Sequence, residues 1–84
     1  MNSKHKRTLF IIFSKPIPGV LKWRKIESLF IALGADIIEG SGSRVSFILN
    51  DEKADFNRPH PGKEAKQYQV RNARDFLDKA GVKP

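Results

Sequence analysis

One histidine of this chain stands in a segment that could restrain it for acid/base chemistry. His60 lies between Pro59 and Pro61, two residues after Arg58, in the sequence Phe-Asn-Arg-Pro-His-Pro. Histidine exchanges a proton near neutral pH, and an arginine close by could bind a phosphate. The two prolines restrict the backbone, so the side chain between them is held at little further entropic cost. The same residues also fit a rigid exit from a strand into a helix, and His60 could equally hydrogen-bond this loop.

Other reactive groups are few. The chain has no cysteine, which excludes a disulfide framework and a thiolate zinc site. His5 lies in a basic N-terminal segment and is interpreted as part of that basic tail. The two histidines are far apart and the carboxylates are scattered, so neither a metal site nor a cofactor is predicted.

Positive charge is concentrated at the start of the chain. The net charge is +7, and residues 1–25 contain seven lysines and arginines but no acidic residue. The other nine basic residues are balanced by nine acidic ones. A local excess of this kind suits a polyanion, either nucleic acid or an acidic protein, although solubility alone would also benefit from it.

The length and the hydropathy predict one domain without a membrane span. The chain has 84 residues, enough for a sheet and two or three helices. The longest apolar run covers residues 9–13, whereas a membrane helix needs about 20 apolar residues. We therefore expect a soluble, cytoplasmic protein with no membrane partner.

The apolar spacing predicts two helices before the first strand. Residues 4–14 read as a short helix, although the continuous apolar run 9–13 also fits a buried strand. A second helix begins near Trp23, which we expect to lie in the core, and Gly34 is placed to end it.

Three strands and a last helix follow. Strands are predicted at 35–39, 43–49 and 54–58, with turns at 40–42 and 50–53, and a helix at 64–80. The chain is therefore predicted to be α+β, with a three-stranded antiparallel meander and helices packed on one face. A ligand would bind on the other face, which stays open to solvent.

Four short motifs resemble the HicA family of toxins, in a longer-chain subgroup. They are Gly-Ser-Arg-Val from residue 42, Arg-Pro-His-Pro from 58, Lys-Glu at 63–64 and Ala-Gly-Val at 80–82. The resemblance covers about residues 22–84. It implies a fold like that of the double-stranded RNA-binding domain, in a core at 21–84 preceded by a basic extension with an extra helix at 1–20. It also implies metal-independent mRNA cleavage, restrained by a HicB-type antitoxin.

The chain departs from the family pattern at both positions where a catalytic histidine is usual. The familiar pattern has histidine directly after a Gly-Ser pair, where this chain has Arg44. The longer-chain subgroup typically has histidine at the position of Asn57. Asparagine keeps hydrogen-bonding capacity but cannot titrate. We therefore interpret Asn57 and His60 as the candidate catalytic positions, with Asn57 in an inactivated form.

Eight basic residues are predicted to contact RNA. They are Lys22, Lys25, Arg44, Arg58, Lys63, Lys66, Arg71 and Arg74. Arg44 is expected on the solvent face of the sheet, whereas alternation alone does not decide the side of Arg58. Solvated strand charges remain an alternative for both. Two other functions also stay open: an RNA-binding module without catalysis, and a basic protein that receives an acidic partner.

Overall fold

The structure is a computed structural model that describes residues 1–17, 20–60 and 62–84. Pro18, Gly19 and Pro61, which belong to the two predicted proline loops, lie outside the described residues. The elements follow in the predicted order. They are α1 (Ser3–Ile12), α2 (Trp23–Ala32), β1 (Asp36–Glu39), β2 (Arg44–Leu49), β3 (Glu52–Asn57) and α3 (Gln67–Lys79).

Helix α1 confirms the helical interpretation of the first apolar run, and the strand alternative is wrong. The side chain of Asn2 caps its N-terminus by accepting a hydrogen bond from the backbone N–H of His5 at 2.9 Å. Leu9 and Ile12 are buried one turn apart, while Phe10 between them is exposed. The helix therefore packs one face against the rest of the molecule.

Helix α2 buries the apolar stripe that its sequence predicts. Trp23, Ile26, Leu29 and Phe30 are all buried, which confirms Trp23 as a core residue. Gly34 follows the helix with a φ of 95°, a left-handed conformation that glycine adopts without strain. The predicted end of this helix is therefore confirmed.

The sheet is an antiparallel meander in the order β1-β2-β3. Alternate residues of β2 are buried, namely Val45, Phe47 and Leu49. Asn50 and Asp51 form a two-residue turn with φ values of 50° and 68°, so β3 begins at Glu52. The predicted four-residue turn and the predicted strand start at residue 54 were wrong, because both turn residues accept the left-handed conformation.

The start of α3 differs from the prediction. The helix begins at Gln67 rather than at residue 64. Residues 63–65 are instead paired with the segment before α2: the Ala65 N–H donates to the Leu21 carbonyl at 2.7 Å, and the Trp23 N–H donates to the Lys63 carbonyl at 2.9 Å. This pairing holds the loop after β3 against the start of α2.

All three helices share one hydrophobic core with the inner face of the sheet. Phe30 lies at its centre, with ring centroids 4.9 Å from Phe47 and 5.1 Å from Phe76. Leu9 and Ile12 of α1 belong to the same core, so the N-terminal helix is packed into the folded unit. Across the described ranges, no helix is both long enough and apolar enough to cross a membrane.

Candidate functional site

Asn57 and Arg44 face each other at one end of the sheet. Asn57 is the last residue of β3 and pairs with Arg44, the first residue of β2. Both are exposed, on the face that the helices leave open. Ser46 and Asp55 form the next pair on this face, with the Ser46 hydroxyl donating to Asp55 Oδ1 at 2.5 Å. The solvent-facing position predicted for Arg44 is confirmed.

A shallow groove of about 300 Å³ surrounds this pair. Gly40 forms one wall, and its N–H donates to the Arg44 carbonyl at 2.9 Å. A Cβ on Gly40 would lie 3.0 Å from Arg44 Cβ, closer than side chains normally approach. Gly40 therefore makes room for Arg44. Its neighbour Gly42 is the turn residue with a positive φ, of 62°. Sequence reasoning assigned both glycines to the turn and missed this contact.

Arg58 points to the opposite side of the sheet from Asn57. Its N–H donates to the Ser43 carbonyl at 2.9 Å, which continues the ladder and keeps Arg58 on the helix side. Its Nε lies 2.6 Å from Glu27 Oε1, and its two terminal nitrogens donate to the carboxylate of Glu39 at 2.7 and 2.9 Å. The side of Arg58, which alternation left undecided, is therefore the helix side, where two carboxylates hold it.

The Arg58 contacts form a cluster with α2. Trp23 Nε1 donates to Glu27 Oε1 at 2.5 Å, and the Trp23 ring lies 5.1 Å from that of Phe56. The hydrogen bonds from Arg58 lower the pKa of Glu39. The pKa of Arg58 is raised, chiefly by its hydrogen bonds to Glu39 and secondly by those to Glu27. Neither carboxylate was predicted from the sequence. The spacing of Trp23 and Glu27 along one helix face was the signal that could have identified Glu27.

His60 lies in the loop after β3 and is exposed. Within the described residues its ring makes no hydrogen bond, so the predicted bond to the loop is not found there. Three residues earlier, the side-chain amide of Gln69 donates a hydrogen bond to the backbone carbonyl of Asn57 at 2.6 Å and so fixes the end of β3. A catalytic role for His60 remains a prediction.

Besides Arg44, Arg58 and Arg74, the five other predicted RNA-binding cations fall into three environments. Lys22 and Lys63 line a groove of about 330 Å³ beside Arg58 and Pro59, while Lys25 lines another between α1 and α2. Lys66 and Arg71 are exposed elsewhere on the surface. The structure thus brings together only part of the predicted set.

Arg74 is directed towards the interior. Its Nε donates to the Ile12 carbonyl at 2.8 Å and one terminal nitrogen donates to the Ser14 carbonyl at 2.7 Å. Those two carbonyls lie at the end of α1, where backbone carbonyls have no hydrogen-bond partner within the helix. Arg74 therefore fastens α1 to α3, and RNA contact by this residue remains a prediction.

His5 is a contact between helices, and its interpretation as part of a basic tail was wrong. Its Nε2 lies 2.9 Å from Ser28 Oγ of α2. The residue is half-buried because α1 packs against α2. Among the described residues there is no group of three histidine or acidic side chains that could hold a metal ion.

The fold and the site define a small α+β domain of the double-stranded RNA-binding type, with a meander between α2 and α3 and an open sheet face that carries Arg44 and Asn57. A family model described as "HicA toxin of bacterial toxin-antitoxin" matches residues 23–82. The chain therefore belongs to the HicA toxin family and is a toxin of a toxin-antitoxin system. A search of curated proteins gave no match. A search of solved structures also gave none.

Proposed function

We propose that this chain is a metal-independent mRNA endoribonuclease toxin, or mRNA interferase, in a catalytically silent form, which binds RNA in the cytoplasm. The observation that supports the proposal is the placement of Asn57. It is exposed beside Arg44 on the open face of the sheet, in a family of toxins. A substrate phosphate can approach this face without displacing a helix.

The chemistry would be attack on a phosphodiester by a ribose 2′-hydroxyl or by water, in which a new P–O bond forms, the bond to the leaving ribose oxygen breaks, and that oxygen takes up a proton from solvent. A general base must remove the proton of the attacking hydroxyl, and a fixed cation must stabilise charge on the phosphorane. Arg44 supplies the cation opposite residue 57. The amide of Asn57 can hydrogen-bond the hydroxyl but cannot accept its proton at neutral pH. A histidine at this position would supply the missing base.

Inhibition by a HicB-type antitoxin is the second part of the proposal. An inhibitor that covers the open face would bury Asn57 and Arg44 together and exclude RNA. The family is defined by toxins of such two-component systems, which supports a protein partner for this chain.

A non-catalytic RNA-binding module is the alternative that Asn57 itself favours, because this side chain binds without titrating. The Asn57→His variant separates the two functions. We expect it to cleave RNA in vitro, to arrest growth when produced in cells, and to be neutralised by the co-produced antitoxin. A folded variant that neither cleaves RNA nor arrests growth would refute the active-site assignment. Salt-insensitive or absent RNA binding by the original chain would instead favour an acidic protein partner.

A further inference from the structure

A cationic groove between α1 and α2 lies outside the sheet site. Its volume is about 660 Å³. Lys4, Arg7 and Lys25 line it together with polar side chains and Ile11, and none of the described residues that line it is acidic. All three cations are exposed and form no salt bridge within the described part of the chain. Two of them belong to α1, which precedes the segment that the family model matches.

This groove adjoins two others on the helix side of the sheet. His5 and Ser28, which are hydrogen-bonded to each other, line both it and a second groove of about 610 Å³. Arg24 and Arg58 line the second groove and also the third, which holds Lys22 and Lys63. Arg58 directly precedes Pro59 of the third groove and directly follows Asn57 of the sheet groove.

We define the basic track as the cations of these three grooves other than Arg58, which is paired with two carboxylates. The members of the basic track are Lys4, Lys22, Arg24, Lys25, Arg7 and Lys63. Glu27 is the one acidic residue that lines the three grooves within the described ranges, and its carboxylate accepts a hydrogen bond from Arg58 at 2.6 Å. The six cations of the track therefore outnumber the acidic residues that line these grooves in the described part of the chain.

We propose that the basic track binds the backbone of the RNA strand that extends away from the phosphodiester at Asn57, so that α1 serves as a second RNA contact. The proposal rests on the proposed function, since it takes RNA as the ligand at Asn57. RNA binding to a row of exposed cations is favoured because it releases the counterions held by successive phosphates. RNA is favoured over an acidic protein because a strand bound at Asn57 reaches the third groove by passing round the end of β3, where Arg58 directly follows Asn57 in the chain.

The test is RNA binding by the full chain with Asn57 retained, so that cleavage does not interfere. Fluorescence anisotropy with a labelled single-stranded RNA of about 12 nucleotides gives the affinity at several salt concentrations. The first variant combines Lys4→Gln, Arg7→Gln and Lys25→Gln. The matched control combines Lys6→Gln, Lys79→Gln and Lys83→Gln, which removes the same charge from exposed residues that line none of these grooves.

We expect the groove variant to lose about tenfold or more in affinity and its salt slope to fall by about 2, since single-stranded binding contributes about 0.7 per phosphate contact. The control should keep most of its affinity and slope. Equal losses in both variants, no loss in the groove variant, or no RNA binding by the original chain would overturn the proposal. Weaker antitoxin binding with unchanged RNA binding would also overturn it and would assign the groove to an acidic protein.

Cleavage in the Asn57→His background separates this proposal from the proposed function. The groove variant should raise KM for the long RNA while leaving cleavage of an RNA of about three nucleotides unchanged. Cleavage that the groove substitutions do not affect would refute the basic track alone. RNA binding through the track without any cleavage by the Asn57→His chain would refute the catalytic assignment alone.

Discussion

Asn57 and Arg44 lie opposite each other where the β2–β3 ladder ends, on the face of the sheet that the helices leave open. The next residue, Arg58, points to the other side and is held there by Glu27 and Glu39. Two adjacent residues thus have different surroundings. Asn57 is open to solvent, and Arg58, directly after β3, fixes the end of that strand.

The first prediction concerns Glu27, whose carboxylate accepts hydrogen bonds from both Arg58 and Trp23. Glu27→Ala removes the partner of both Arg58 Nε and Trp23 Nε1. The Glu27 side chain is only 17% exposed, so the groups left unpaired lose hydrogen bonds that water replaces incompletely. We expect the free energy of unfolding to fall by about 1–3 kcal/mol, measured by urea denaturation. Glu64→Ala, at an exposed residue, is the control, and equal stability of the two variants would contradict the role of Glu27.

The second prediction concerns acid stability. Arg58 lowers the pKa of Glu39 from its ordinary value of 4.5. A lowered pKa in the folded state stabilises the fold above the ordinary value, and this contribution is lost as the pH falls through the lowered pKa. The Glu39→Gln variant should therefore be less stable than the original chain at pH 7, and the difference should shrink below pH 4.5. Urea denaturation across this range checks it, and a difference that stays constant with pH would argue against the pair.

The third prediction concerns the room that Gly40 leaves for Arg44. Gly40→Ala places a Cβ 3.0 Å from Arg44 Cβ and 3.3 Å from its carbonyl oxygen, so the strand must shift. We expect a loss of about 1 kcal/mol in thermal denaturation and slower RNA cleavage in the Asn57→His background. Gly62→Ala is the matched control, because a Cβ there meets nothing within 4 Å. Similar behaviour of both alanine variants would refute the positioning role of Gly40.

The fourth prediction concerns the attachment of α1. Arg74→Ala leaves the Ile12 and Ser14 carbonyls without their donor. The amides of α1 should then exchange with solvent faster, and the free energy of unfolding should fall by about 1–3 kcal/mol. Arg71→Ala, on the exposed side of the same helix, should change stability by less than about 0.5 kcal/mol. Hydrogen exchange that is alike in both variants would mean that Arg74 does not fasten α1.

Local patterns predicted most of the architecture. The apolar stripe from Trp23 to Phe30 and the alternation of Val45 and Phe47 gave α2 and β2 directly, because one face of each element is buried. The start of α3 was misplaced since it depends on pairing between Ala65 and Leu21, which are distant in the sequence. No local propensity reports such a contact.

Only part of the geometry around the candidate site residues could be predicted from the sequence. Strand phase identified Arg44 as solvent-facing, and the comparison of motifs identified Asn57. The side of Arg58 was undecided because it depends on Glu27 and Glu39, which come from two other elements. His5 was misjudged for the same reason: its partner Ser28 lies 23 residues away on another helix.

The rate of RNA cleavage by the Asn57→His variant in the presence of EDTA tests most directly whether residue 57 is the position of the general base. We predict cleavage at least about 100-fold faster than that of the original chain, with a rate that rises with the fraction of neutral imidazole around pH 6.5. Asn57→Gln, which cannot titrate, should stay as inactive as the original. A folded Asn57→His chain that binds RNA as tightly as the original and still fails to cleave it would contradict the assignment of residue 57 as the position of the general base.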